Sequence, residues 1–230
     1  MNEHILIVDD ERELAELVSL YLTNAGFRTS VCTDGASALA LFRRETPDLA
    51  LLDVMLPDMS GFDICREIRK THFFPIIMLT AKIEDNDKIL GLTLGADDYI
   101  TKPFNPLEVV ARVRTQLRRA STYNYAAAPE SVDEIDIRGL VINRAAHSCS
   151  LYGEQIALTP LEFEILWYLA SNQGRVVPSE ELFEAVWQEK YFKSNNTVMS
   201  HIGRLRDKLH EPPKQPKFIK TVWGIGYEIE

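Results

Sequence analysis

Leu49-Ala50-Leu51-Leu52-Asp53-Val54-Met55-Leu56-Pro57 is the stretch that decides the fold. Four apolar residues run without alternation into one carboxylate, and Pro57 and Gly61 then break the chain. A short apolar run between turn signals reads as a strand covered on both faces, the pattern of a parallel sheet. In open parallel sheets the chemistry gathers beyond the carboxyl ends of the strands, and Asp53 stands at such an end. Taken alone, Asp53 reads more readily as a cap for the helix that starts near Gly61.

The flanking sequence repeats the pattern. Ile5–Val8 is an apolar run ending in Asp9-Asp10-Glu11, and Glu11–Ala25 carries Leu14, Leu17, Val18, Tyr21, Leu22 and Ala25 at helical spacing before Gly26. A weaker strand at 28–32 and a helix from Gly35 to Arg44 lead into the Leu49 strand. Beyond it come a helix at 62–70, a strand at 75–79 ending in Thr80-Ala81, and a helix near 85–94. A strand at 97–100 and a helix from Pro106 to Arg119 close the series. Five alternations predict an α/β doubly wound, five-stranded parallel sheet over residues 1–120.

Right-handed crossovers bring every carboxyl strand end to one edge, so Asp9, Asp10, Asp53, Thr80 and Lys102 fall together. Converging carboxylates repel unless a cation joins them, and an open, oxygen-lined site suits Mg²⁺. With Lys102 as a compact positive charge and Thr80 as a hydroxyl donor, the set suits a phosphoryl group on Asp53.

These residues resemble the receiver domains of two-component response regulators. The likeness rests on Asp9-Asp10, on Asp53 with Met55-Leu56-Pro57 and Gly61, on Thr80-Ala81, and on Lys102-Pro103-Phe104. It implies a flavodoxin/CheY-like fold in which Asp53 accepts a phosphoryl group from a sensor histidine kinase. Asp10, Asp53 and the Met55 carbonyl would hold Mg²⁺, with Asp9 acting through water. Lys102 and Thr80 would bind phosphate oxygens, and the Lys102–Pro103 bond is expected to be cis. Tyr99 matches the switch aromatic that follows Thr80 inward, in place of a static packed tyrosine. By further resemblance to the OmpR/PhoB subfamily, Lys88, Ile89, Leu92, Asp97, Asp98, Glu108, Val110, Arg112 and Arg119 would form a homodimer face on phosphorylation. Lys88 would meet Glu108, and Asp97 and Asp98 would meet Arg112 and Arg119, across a two-fold.

Residues 121–134 have no sustained apolar period and read as a linker. From Ile135 the pattern changes to short alternating strands at 135–137, 140–143, 148–152 and 155–158, a small antiparallel sheet. Thr159-Pro160-Leu161-Glu162 is a capping box with proline at the first helical position, and it starts a helix to Ser171. A second helix follows Pro178-Ser179 and runs through Trp187. A third, capped within Ser194-Asn195-Asn196, runs from Thr197 to His210 with Val198, Ile202, Leu205 and Leu209 as its core stripe. Thr197, His201, Arg204 and Lys208 lie about 100° round the axis, and Ser200 points further from the core.

The chain carries a net charge of −9, yet residues 190–220 hold eight basic and two acidic side chains, and the third helix lies there. A helix-turn-helix-like trio with a basic third helix points to DNA. The glycine-turned hairpin Thr221–Ile229 would be a wing. Residues 135–230 resemble the winged-helix domain of the same subfamily, which implies double-stranded promoter DNA and RNA polymerase as partners. Arg204 is the expected base reader, with Thr197, Ser200, His201, Arg206, Lys208 and Trp223 as further contacts. Gly203 stands where many relatives have a basic residue, and Trp223 where many have an arginine. A fainter likeness, in Thr221–Tyr227 and Ser194–Thr197, is to vancomycin-resistance regulators.

The function expected is a phosphorylation-controlled DNA-binding transcription regulator. A phosphohydrolase working through an aspartyl-phosphate would need an acid/base carboxylate two residues past Asp53, where Met55 stands, and it leaves residues 135–230 unexplained. A regulator switched by a partner protein would not need the intact acidic cluster. Cys32, Cys65 and Cys149 are too scattered for a disulfide or thiolate metal framework. No apolar run reaches membrane-spanning length and the first residues lack a secretory signal, so the expected compartment is the cytoplasm.

Overall fold

The computed structural model describes residues 3–81, 95–121, 134–188, 197–212 and 215–230. The chain divides into two compact units, Met1–Ala120 and Ser121–Glu230. The first begins with β1 (His4–Val8), α1 (Arg12–Asn24), β2 (Arg28–Cys32), α2 (Gly35–Arg44) and β3 (Leu49–Asp53). It continues through α3 (Gly61–Arg69), β4 (Ile76–Ala81), β5 (Asp98–Lys102) and α4 (Pro106–Ser121). The helix expected near 85–94 falls outside the described residues.

The five strands are all parallel, in the order β2-β1-β3-β4-β5. Every residue of β1 and β3 is buried, as an unalternating apolar run requires when helices cover both faces. The sheet separates two apolar layers. Ile5, Ile7, Leu49, Leu51, Ile77 and Leu79 face Val18, Leu22, Val109 and Val113 on one side. Leu6, Val8, Ala50, Leu52, Ile76 and Met78 face Ile64, Cys65 and Ile68 on the other. β5 begins one residue later and ends two residues further on than the pattern suggested, so Thr101 and Lys102 lie inside the strand, paired with Thr80 and Ala81.

Asp97 departs from its expected place. It is 1% exposed, bonded through Oδ2 to Arg69 at 2.6 Å and to the Ile76 amide at 2.8 Å. Arg69 also donates to the carbonyls of Gly95, His72 and Phe74. This knot ties the starts of β4 and β5 to the end of α3, and it withdraws Asp97 from any intermolecular surface. A carboxylate in the apolar interior needs a charged, hydrogen-bonding partner, and Arg69 supplies it within the protomer.

The second unit opens with a four-stranded antiparallel sheet, β6 (Glu134–Ile137), β7 (Leu140–Asn143), β8 (Ser148–Leu151) and β9 (Glu154–Gln155). β9 stops at Gln155, so the expected strand through 158 is cut short. Then come α5 (Pro160–Ser171), β10 (Val177–Pro178), α6 (Ser179–Trp187), α7 (Thr197–Lys208) and the hairpin β11 (Ile219–Val222) and β12 (Gly226–Ile229). Both halves of the capping box form: the Thr159 amide donates to Glu162 Oε2 at 2.8 Å, and the Glu162 amide donates to Thr159 Oγ1 at 3.3 Å.

Glu162 also organises α7. It is 1% exposed and accepts a hydrogen bond from Lys208 at 2.6 Å, with Arg204 Nε at 3.6 Å. Burial pushes its carboxyl upward, but Arg204 and Lys208 outweigh that and hold it below the ordinary glutamate value. Its contribution to stability is therefore complete above the unfolded glutamate pKa and is lost as pH falls through the lower folded value. Glu162→Gln keeps the capping geometry but strands two cations. It should cost the second unit about 3–5 kcal/mol at pH 7 in urea unfolding, a deficit that narrows in acid.

Candidate functional site

Strand ends place the first cluster. β1 delivers Asp9 and Asp10, β3 delivers Asp53, β4 delivers Thr80 and β5 delivers Lys102, all at the carboxyl edge of the sheet. Lys102 Nζ donates to Asp53 Oδ2 at 2.7 Å, Asp9 Oδ1 at 3.0 Å and Glu11 Oε1 at 3.1 Å. Asp9, Asp53 and Thr80 are buried, whereas Asp10 is exposed. Asp53 Oδ1 accepts from the Met55 amide at 3.1 Å, which orients the carboxylate toward the edge. The Lys102–Pro103 peptide bond is cis.

Gly61 has a tighter reason than breaking the chain. A Cβ at that position would lie 2.0 Å from the Asp53 carbonyl oxygen. The first residue of α3 thus packs directly on the backbone of Asp53, an approach open to glycine alone.

Burial, and then repulsion from Asp53, hold the Asp9 carboxyl above its usual value against the pull of Lys102. Burial works against the Lys102 ammonium, yet hydrogen bonds to Asp53, Asp9 and Glu11 outweigh it and hold the group above its ordinary value. Glu11 was not singled out from sequence. Its place directly after two cluster acids was the signal.

Among the described residues, Asp9, Asp10 and Asp53 form a group whose carboxylate oxygens lie within 4.8 Å of one another, close enough to share one cation. The Thr80 hydroxyl donates to the Ala81 carbonyl at 2.9 Å and is not bonded to Asp53. Tyr99 is half-buried against the Leu6/Ile64 layer.

Of the expected dimer face, Lys88, Ile89 and Leu92 lie outside the described residues, as does the side chain of Arg119. Asp98 and Glu108 both accept from Arg112 within one chain, at 3.0 Å and 3.1 Å. Val110 is half-buried against the core.

Of the DNA-facing set expected on α7, three residues are inside and three cations are half-buried with partners in the chain. Thr197, Ser200 and His201 are buried. His201 packs edge-on to Trp187, and Arg204 bonds to it through Nη2. Arg206 donates to the Ile219 carbonyl and the Thr221 hydroxyl, and Lys208 to Glu162 and the Ala157 carbonyl. The flank offset about 100° from the core stripe is therefore turned onto α5 and α6, with Arg204 and Lys208 drawn to Glu162 and His201 against Trp187, while Arg206 reaches β11. Val198, Ile202, Leu205 and Leu209 form the buried stripe as read. Trp223, at the hairpin tip, is 89% exposed, and its neighbour Ile225 is exposed as well.

Comparisons with known proteins agree with this architecture. Residues 5–114 match the response regulator receiver domain, and residues 153–229 match the C-terminal domain of transcriptional regulatory proteins. The chain is 61% identical over 230 residues to the regulatory protein VanRc of Enterococcus gallinarum. It is 51% identical over 231 residues to the regulatory protein VanR of Enterococcus faecium, and both alignments cover all of each chain. Among solved structures, the response regulator DrrB of Thermotoga maritima, an OmpR/PhoB homologue, is 36% identical with a TM-score of 0.52. That alignment covers 100% of this chain and 99% of DrrB. A variant of RitR is 30% identical with a TM-score of 0.75 over 99% of both chains.

A receiver with an acidic strand-end cluster, followed by a winged helix, defines a DNA-binding response regulator. The chain belongs to the OmpR/PhoB-type two-component response regulators, which are transcription regulators and not enzymes of metabolism.

Lys102→Ala removes the cation from the converging carboxylates. The receiver should lose about 3–5 kcal/mol at pH 8 by chemical unfolding. Because the folded Asp9 pKa is raised, the penalty grows where Asp9 is ionised and should shrink toward pH 4.

Proposed function

We propose that Asp53 is the phosphoacceptor of a regulator controlled by a sensor histidine kinase, and that its modification pairs receivers and thereby places two winged helices on promoter half-sites. The observation that carries this is the half-buried Lys102 ammonium, bonded to Asp53 and Asp9 at the edge where Asp10 and Thr80 also end.

Asp10, Asp53 and the Met55 carbonyl would hold Mg²⁺, with Asp9 behind them, and the oxygen-only donor set at that spacing fits it. Bound there, the ion would offset charge on the phosphoryl oxygens. An Asp53 carboxylate oxygen forms the new bond to phosphorus as the bond to the donor nitrogen breaks. Lys102 stays within reach of the product's oxygens, and the Met55 amide fixes the attacking carboxylate.

Thr80 is the first residue to respond. Its hydroxyl leaves the Ala81 carbonyl for a phosphoryl oxygen, and Tyr99 on the neighbouring strand turns into the space released. The phosphoryl group shifts the population only by its differential stabilisation of that arrangement. The dimer face then uses Glu108, Arg112, Asp98 and Val110, with Arg112 exchanging its in-chain acids for those of a second copy. Asp97 takes no part, because Arg69 holds it inside. Trp223 of the wing faces DNA, RNA polymerase is the downstream partner, and the compartment is the cytoplasm. No described helix is long and apolar enough to cross a membrane.

Incubation with a small phosphodonor and Mg²⁺ should add one phosphoryl mass that accumulates in the native chain and is absent in Asp53→Asn. Rapid turnover without accumulation would favour a hydrolase, and no mass gain in the native chain would remove the proposal. Glu108→Lys should abolish dimer formation by the phosphorylated chain in sedimentation velocity, and an unchanged dimer would refute the assigned face.

A further inference from the structure

α7 has its cations turned inward. Arg204 lies against Glu162 and His201, Arg206 against the β11 backbone, and Lys208 against Glu162 and Ala157. Its outward row is Met199, Gly203 and Asp207, spaced four residues apart on one helical face. Met199 is 53% exposed and lies in the first turn of the helix. We propose that the chain recognises its DNA site through the C5-methyl group of a thymine held against Met199, with Gly203 allowing the helix to lie close to the duplex. This deepens the DNA-binding reading and rests on it.

Three observations converge. The N-terminal end of a recognition helix is the part that meets base edges in the major groove, and Met199 stands there. A thioether side chain has no hydrogen to donate, and the one apolar feature on a major-groove base edge is the thymine methyl. Gly203 has no internal reason to be glycine, because a Cβ built there meets nothing within 4 Å. Glycine inside a helix is disfavoured relative to alanine, so the missing side chain is accounted for by something that approaches from outside, one turn along from Met199. Asp207, a further turn on, is exposed and acidic. It would repel phosphate, which confines close groove contact to the Met199 end.

The test uses the full chain, treated with a small phosphodonor and Mg²⁺, and a pool of random-sequence duplexes. Enriched duplexes are remade with single thymine-to-deoxyuridine changes, each removing one methyl group. The native chain should lose about fourfold in affinity at one thymine of each half-site. Met199→Ala should bind the thymine and uracil forms equally, and Met199→Leu should keep the thymine preference. Gly203→Ala should bind all duplexes more weakly while melting at a higher temperature, opposite signs that a purely structural glycine would not give. Indifference of the native chain to uracil at every position, or an unchanged thymine preference in Met199→Ala, would overturn the proposal. If no sequence is enriched at all, the DNA-binding reading itself fails.

Discussion

The structure of the first unit depends on one ammonium group held among three carboxylates. A parallel sheet with helices on both faces puts its strand ends on one edge, and here those ends carry acids. Two of them, Asp9 and Asp53, are buried, where unpaired charge is costly. Lys102 answers that cost from β5, on the far side of β4 from Asp53. The same arrangement makes the edge responsive. A group that added negative charge at Asp53 would change what Lys102 and Thr80 bond to, and both belong to the adjacent strands β5 and β4, whose register joins Thr80 to Thr101 and Met78 to Tyr99. A local charge change thus has a short path through backbone pairing to the outer surface of β5 and α4.

The second unit uses buried charge differently. Glu162 closes the cap of α5 and at the same time fixes α7 by Lys208 and Arg204, so helix initiation and helix packing share one carboxylate. The consequence for recognition is direct. Cations held inside to balance Glu162 and to satisfy strand carbonyls are not the groups that face outward on α7, and the surface that remains is apolar at one end and acidic at the other.

Much of this was legible in the residues themselves. The unalternating run from Leu49 to Leu52 fixed a buried central strand, and the order of acids, threonine and lysine along alternating elements fixed the edge where they meet. Thr159-Pro160-Leu161-Glu162 gave the start of α5 to the residue. Three things were not legible, each for a physical reason. Periodicity located the centre of the buried stripe on α7 but not its width, because the buried partner that widens it, Glu162, lies 46 residues away from Lys208. Asp97 and Asp98 are adjacent and chemically alike, and their opposite fates depend on Arg69 reaching Asp97 from α3 and Arg112 reaching Asp98 from α4. Gly61 read as a breaker, and its close approach to the Asp53 backbone appears only when α3 is packed on the sheet.

The central claim is that charge added at Asp53 is transmitted through Thr80 to β5 and α4. Amide hydrogen exchange on the full chain, with and without a small phosphodonor and Mg²⁺, tests it most directly. The account predicts altered protection around Asp53 and, in the same sample, at Thr80–Ala81, Tyr99–Lys102 and the first turns of α4. Altered protection confined to residues 53–61 would contradict it.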